Sequence, residues 1–155
     1  MKRHSWRIVK QRFREGAFSG EGARLYGGRW NSPGRPVVYT AEHASLAVLE
    51  ILAHLEFAAI VSDYVLIRAE FDEALLEVVE IKQLPRDWRI YPAPQSLRAI
   101  GDQWLEEKRS AVLSVPSVIV PVERLYLFNP LHADFRKIVI AEPQEFPFDT
   151  RLRKE

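Results

Sequence analysis

The chain contains no cysteine. Disulfides and thiolate metal sites are therefore excluded, and a reducing compartment such as the cytoplasm fits. Histidine is scarce: His4, His43, His54 and His132 are the only four, with no HExxH and no close pair. Metal-dependent hydrolysis thus has no ligand spacing to rest on. The Rossmann fingerprint is missing, because Gly20-Glu21-Gly22 lacks the third glycine, and there is no Walker A sequence. No G-x-S-x-G elbow surrounds Ser117, which lies in Val115-Pro116-Ser117-Val118. Long apolar runs are absent too. The longest, Ala111 to Val122, spans about twelve residues and is broken by Pro116 and Pro121, too short to cross a bilayer. The basic N-terminus MKRHSWRIVKQRFREG has no apolar signal-peptide region. These absences predict a soluble, cytoplasmic protein that does not contact the membrane.

Excess charge of one sign is also lacking. A net charge of +1 gives no general argument for nucleic-acid binding. The distribution is uneven, however. Residues 1–35 hold nine Lys or Arg against two Glu, a net of +7, and the remaining 120 hold 13 basic against 19 acidic groups, a net of −6. Such asymmetry suits a face for an anionic ligand or an acidic partner, and equally a solvated surface without a role.

What is present is an ordinary globular composition, 47% hydrophobic and 28% charged over 155 residues, enough for a single domain with its own core. Strands are expected at Ser5–Val9, Pro36–Thr40, Asp63–Phe71 and Leu75–Ile81 (joined at Asp72-Glu73), in the Val112–Val122 run, and at Arg124–Phe128 and Lys137–Glu142. Phe13–Tyr26 is punctuated by glycine and reads as a loop, and Pro85–Pro94 as an irregular connection. A helix is predicted over Ala41–Glu56, apolar nearly all round and so buried on several sides. A second is predicted over Ser96–Ser110, with Leu97, Ile100, Trp104 and Leu105 on one face and Ser96 as N-cap. There is no internal repeat. Short strands with two helices that do not alternate regularly make a single α+β domain with a mixed or antiparallel sheet, not a doubly wound fold.

The chain is organised around residues 20–56. Gly27-Gly28-Arg29-Trp30-Asn31 runs through Ser32-Pro33-Gly34 into the Pro36–Thr40 strand, and Glu50 is the one acid among apolar residues from Ala44 to Ala53. Leu46, Ala47, Ala53 and His54 are its helical neighbours, so an ionised carboxylate there needs a positive or hydrogen-bonding partner. Arg29 is the upstream candidate. It either grips an anionic ligand, since glycines allow close approach and guanidinium matches phosphate, or completes a structural ion pair with Glu50. Tyr39 either stacks on a ligand ring or packs in the core. Ser117 reads equally as a strand serine bonded to nearby backbone.

The order of these segments resembles the RES domain, named for its Arg, Glu and Ser. The residues that carry the resemblance are Trp6-Arg7-Ile8, Gly27-Gly28-Arg29-Trp30-Asn31, Pro36-Val37-Val38-Tyr39, Ala47-Val48-Leu49-Glu50, Val115-Pro116-Ser117, Glu123, and Asn129-Pro130-Leu131-His132. They cover about residues 5–142, leaving 143–155 as a tail, and between Asp63 and Ser110 only the general layout corresponds.

The resemblance implies an ADP-ribosyltransferase-like fold and a toxin of a toxin–antitoxin pair acting on NAD+. Such a toxin breaks the nicotinamide–ribose bond and passes the ADP-ribosyl unit to water, to inorganic phosphate or to a protein. It further implies Arg29, Glu50 and Ser117 as the catalytic set, with Arg7, Arg29, Trp30 and Tyr39 binding substrate. Glu50 would face the reacting ribose and Arg29 the pyrophosphate. Ser117 would bond substrate or Glu50, and Arg7 would supply a second phosphate contact. No cofactor beyond NAD+ as substrate is implied, and no metal. The implied partner is an Xre-like antitoxin whose tail blocks the pocket and which itself contacts DNA, with a homodimer or larger toxin–antitoxin assembly also in keeping. Two other classes compete: an RNA-directed toxin, which the low net charge disfavours, and a non-catalytic interaction module with a structural Arg–Glu pair.

Overall fold

Alternation of side chains along an extended chain decides the architecture. In β1 (Lys2–Lys10), Trp6 and Ile8 point to one side while Val9 points to the other. The computed structural model describes residues 1–54 and 63–152. β1 is longer than the sequence suggests because β3 (Tyr64–Asp72) pairs with it at nine positions, from Lys2↔Asp72 to Lys10↔Tyr64. On its other side β1 touches β2 (Val38–Ala41) through the single pair Trp6↔Ala41. β2 pairs with β6 (Arg124–Phe128), β6 with β5 (Val112–Pro116), and β5 runs parallel to β4 (Leu76–Val78). The short β7 (Val139–Ile140) and β8 (Gln144–Glu145) both add to β3. The order is β4-β5-β6-β2-β1-β3-β7, with all pairs except β4–β5 antiparallel.

β3 and β4 stand five places apart in that order, yet only Glu73–Leu75 join them. The sheet must therefore curl back on itself. Phe71 of β3 accordingly lies edge-on to Tyr126 and Phe128 of β6, at 5.1 and 5.7 Å between ring centroids. Val38, Ala69, Phe71, Val112, Tyr126 and Phe128 fill the concave face. The convex face carries Ile8, Leu113, Val115, Leu125 and Leu127, covered by α2 (Ala44–His54) and α3 (Gln95–Glu107). On α3 the buried residues are Leu97, Gly101, Trp104 and Leu105, with Ile100 partly buried against the same core.

Several expectations are corrected. Glu21–Tyr26, read as loop, is the short helix α1, bounded by Gly20 (φ 75°) and Gly27 (φ 73°), both in the region that favours glycine. α3 begins one residue earlier than expected, with Pro94 as cap, so Ser96 lies inside its first turn. α2 starts at Ala44, and the expected residues 55 and 56 lie outside the described ones. It is not enclosed on several sides. Only Leu46 and Ala47 are buried and Leu49 is 43% exposed, because the helix rests on one face of the sheet above β1 and β2. β3 and β4 are not a hairpin. Of Lys137–Glu142 only Val139–Ile140 pairs, since residues 133–137 form a 3₁₀ turn. The tail packs: Phe148 sits edge-on to Tyr64 at 5.0 Å and to Phe146 at 5.3 Å. Among the described residues no helix is long and apolar enough to cross a membrane.

α3 is docked so tightly that a Cβ on Gly101 would lie 1.7 Å from the Trp30 carbonyl oxygen. Gly101→Ala should therefore destabilise the fold by about 3 kcal/mol or more, despite the better helix propensity of alanine. Urea denaturation checks this, and an unchanged midpoint would contradict the packing.

Candidate functional site

Pro116 ends β5, and the chain then turns tightly to reach β6. The Ser117 amide donates to the Glu123 carbonyl at 3.0 Å, and the Glu123 amide to the Val120 carbonyl at 2.8 Å. Within that turn the Ser117 hydroxyl oxygen accepts from the amides of Ile119 and Val120, both at 3.1 Å. Its acceptor capacity is filled, so its one proton points elsewhere. It goes to Oε1 of Glu50 on α2, at 2.8 Å. Ser117 is fully buried. It is therefore no nucleophile: a hydroxyl held on three sides aims the Glu50 carboxylate.

The Gly27–Asn31 turn is built as rigidly. Gly28 and Asn31 bridge through their backbones. The Tyr39 hydroxyl lies beneath, donating to Asn31 Oδ1 at 2.6 Å and accepting from the Trp30 amide at 3.1 Å. A Cβ on Gly28 would meet that hydroxyl at 2.6 Å, which is why the position requires glycine. Asn31 Nδ2 donates to the carbonyls of Ala23 and Ser32. From α3, Asp102 accepts from the Ser32 amide at 2.8 Å. Burial pushes the Tyr39 phenol above its ordinary pKa, so it stays a neutral strut. Trp30 is 1% exposed and belongs to the same core cluster as Trp104, which leaves it almost no surface for the expected contact with substrate. It anchors the turn.

This turn presents Arg29. Its Nη1 donates to the carbonyls of Ile90 (2.9 Å) and Trp88 (3.2 Å), while Nε and Nη2 meet no acceptor among the described residues. No carboxylate lies within ion-pair distance of it there. Burial lowers the Arg29 pKa, and the negative charge of Glu50 is the largest opposing influence. Cation and anion thus sense each other without touching. The structural ion pair is not formed, and the two groups remain available to something placed between them.

Arg7 is not part of this arrangement. It follows Trp6 on β1 and precedes Ile8, both of which pack on the convex core, so its side chain leaves from the opposite face. There Nε donates to the Ala17 carbonyl (2.7 Å) and Nη1 to the Tyr39 carbonyl (2.9 Å). Burial draws its pKa down to about 10. The expected phosphate contact is replaced by a clamp between backbone segments.

Two features escaped the sequence reading. Glu42, His43 and Glu123 bring ligand-type atoms within 4.8 Å of one another, although Glu42 already accepts from the Arg124 amide and His43 pairs with Glu123 at 3.0 Å. An open depression of about 630 Å³ is lined by Lys10, Gln11, Arg12, Arg14, Glu15 and Asp63. It includes none of Arg29, Glu50 or Ser117 and offers no carboxylate aimed by a buried donor. Size alone does not make it the reactive centre.

The RES domain family model matches residues 4–149. The chain is 40% identical over 151 residues to "Toxin Res" of Photorhabdus laumondii, covering 96% of each chain. It is 38% identical over 149 residues to "Toxin Res" of Yersinia enterocolitica, covering 96% of this chain and 98% of the relative. It is 35% identical over 152 residues to the "Prs ADP-ribosylating toxin" of a Sphingobium species, covering 95% and 94%. Among solved structures, the fold is similar to one in the M. tuberculosis MbcT–MbcA toxin–antitoxin complex, with a TM-score of 0.77 at 19% identity over 94% of this chain and 85% of that one.

Removing the hydroxyl that aims Glu50 should be felt in stability. Ser117→Ala orphans the two turn amides and should lower unfolding free energy by about 1–3 kcal/mol. Tyr39→Phe, which strips the Asn31 and Trp30 bonds, should lose a similar amount. Equilibrium denaturation of both variants measures it, and wild-type midpoints would show that the bonds are not what holds the site.

Proposed function

The chain belongs to the RES domain family, and from that premise we propose that it is the toxin of a toxin–antitoxin pair which breaks NAD+ at the nicotinamide–ribose bond. The observation that carries the chemistry is the Glu50 carboxylate, aimed by Ser117 and not ion-paired with Arg29, whose Nε and Nη2 have no acceptor among the described residues. The names of the relatives support the toxin reading, and that of the Sphingobium relative supports ADP-ribosyl transfer. The complex in which the similar fold occurs supports an antitoxin partner, here taken as Xre-like and blocking the pocket with its tail.

The arrangement suits this reaction. The glycosidic nitrogen of NAD+ is cationic, so when the C–N bond breaks the electron pair passes to the ring and nicotinamide leaves neutral. No strong acid is required. Positive charge builds on the ribose C1′ and ring oxygen, and a carboxylate fixed beforehand stabilises that charge or grips a ribose hydroxyl. Glu50 fills this role, and Ser117 keeps it from rotating away. Arg29 offers Nε and Nη2 to the pyrophosphate oxygens, where charge-assisted bonds are strongest. The Tyr39 hydroxyl is occupied, so only its ring is left to orient nicotinamide. An acceptor oxygen, from water, inorganic phosphate or a protein side chain, then donates its pair to C1′ and releases its proton. NAD+ is consumed as substrate in the cytoplasm, and growth stops for want of it.

Incubation of the purified, antitoxin-free protein with NAD+ should release nicotinamide, measured by chromatography. Glu50→Gln should slow release by about 10²-fold or more with the fold intact. Arg29→Lys should act chiefly through KM, because an ammonium has only three donors and no planar fork, too few to hold two carbonyls and grip the pyrophosphate through two bonds. Mass spectrometry with and without phosphate identifies the acceptor. Untouched NAD+ under both conditions would overturn the proposal.

A further inference from the structure

The segment between Pro85 and Pro94 has no regular structure, but it is not loose. Its Trp88 is buried in the convex core, and two turns fold it, with Trp88 N–H donating to the Pro85 carbonyl and Ile90 N–H to the Asp87 carbonyl, each at 3.1 Å. Arg29 clamps it from one side through the carbonyls of Trp88 and Ile90. From the other side Arg89 Nε donates at 3.1 Å to the carbonyl of Val118, the residue following Ser117. One short stretch is thereby tied both to the arginine turn and to the loop that aims Glu50. Immediately after these anchors comes Tyr91, 86% exposed.

We propose that Tyr91 is a stacking ledge for the adenine ring of the dinucleotide. The inference rests on the reading of Glu50 and Arg29 given above. Glu50, held by the Ser117 loop, marks where the glycosidic bond breaks, and Arg29 takes the phosphates. In NAD+ the group beyond the phosphates, counted from the reacting ribose, is adenosine. Tyr91 is joined through the Ile90 peptide to Arg29, so it stands at the phosphate end of the site. A base that takes no part in bond breaking needs a π-face and no proton transfer, which an exposed ring at a rim provides. The two clamps fix the backbone beneath the ring, so little order has to be imposed when ligand arrives.

Calorimetry in the Glu50→Gln background, where turnover is slowed about 10²-fold or more, separates the two ends of the ligand. ADP-ribose carries adenine without nicotinamide, and nicotinamide mononucleotide carries the reverse. Adding Tyr91→Ala should weaken ADP-ribose binding roughly 5- to 150-fold, the range seen when a base-stacking ring is truncated. Binding of nicotinamide mononucleotide should stay unchanged, and Tyr91→Phe, which keeps the ring, should restore ADP-ribose binding. Unchanged ADP-ribose affinity in Tyr91→Ala, or equal loss for both ligands, would overturn the ledge. Loss of binding to both ligands with Tyr91 intact would instead remove the dinucleotide reading itself.

Discussion

The bond from Ser117 to Glu50 is the constraint on which the rest of the site depends. A carboxylate on a half-buried helix face would ordinarily either seek an arginine or turn toward water. Here the hydroxyl has no other direction in which to donate, because the amides of Ile119 and Val120 occupy its oxygen. Glu50 is thus held by a neutral donor, and no cation among the described residues forms an ion pair with it. Had Arg29 made the bond, the pair would have neutralised itself and offered little to a developing cation. Arg29 is instead restrained by two backbone carbonyls, which orient a guanidinium without cancelling its charge.

The fold serves that separation. α2 and the loop after β5 deliver the acid and its donor, while the arginine turn is held independently by Tyr39 from β2 and by α3 through Gly101 and Asp102. The two halves meet over the convex face of the curled sheet, whose concave side is filled by Phe71, Tyr126 and Phe128. Distances between charged groups are therefore set by core packing, which deforms little, and not by surface side chains, which would collapse into ion pairs. The segment around Trp88–Tyr91 ties the halves together from outside.

Much of this was legible in the sequence, and the failures share a cause. Glu50 stood out as a lone acid in an apolar helix, and the α+β class followed from short strands with two helices. Arg124–Phe128, ended by Asn129-Pro130, is a strand where the sequence placed one. Trp30 and Arg7 were misread because residue type suggests chemistry, whereas facing is decided by tertiary register. Trp30 turns under α3, and Arg7 departs from the opposite side of β1 to Trp6 and Ile8. The pairing of β4 with β5 in place of β3 is likewise a long-range matter, invisible to periodicity. The Trp88–Tyr91 ledge has no pattern at all, since three-dimensional hydrogen bonds to irregular backbone leave no spacing to detect.

The central claim is that a dinucleotide lies between residues 29 and 50, with its reacting ribose against the acid and its phosphates on the guanidinium. A crystal structure of the Glu50→Gln variant soaked with NAD+ tests this directly. The account predicts the ribose C1′ within contact distance of the residue-50 side chain and the pyrophosphate bonded to Arg29 Nε and Nη2. A dinucleotide seated instead in the basic depression around Lys10 and Arg14, with residues 29 and 50 untouched, would contradict it.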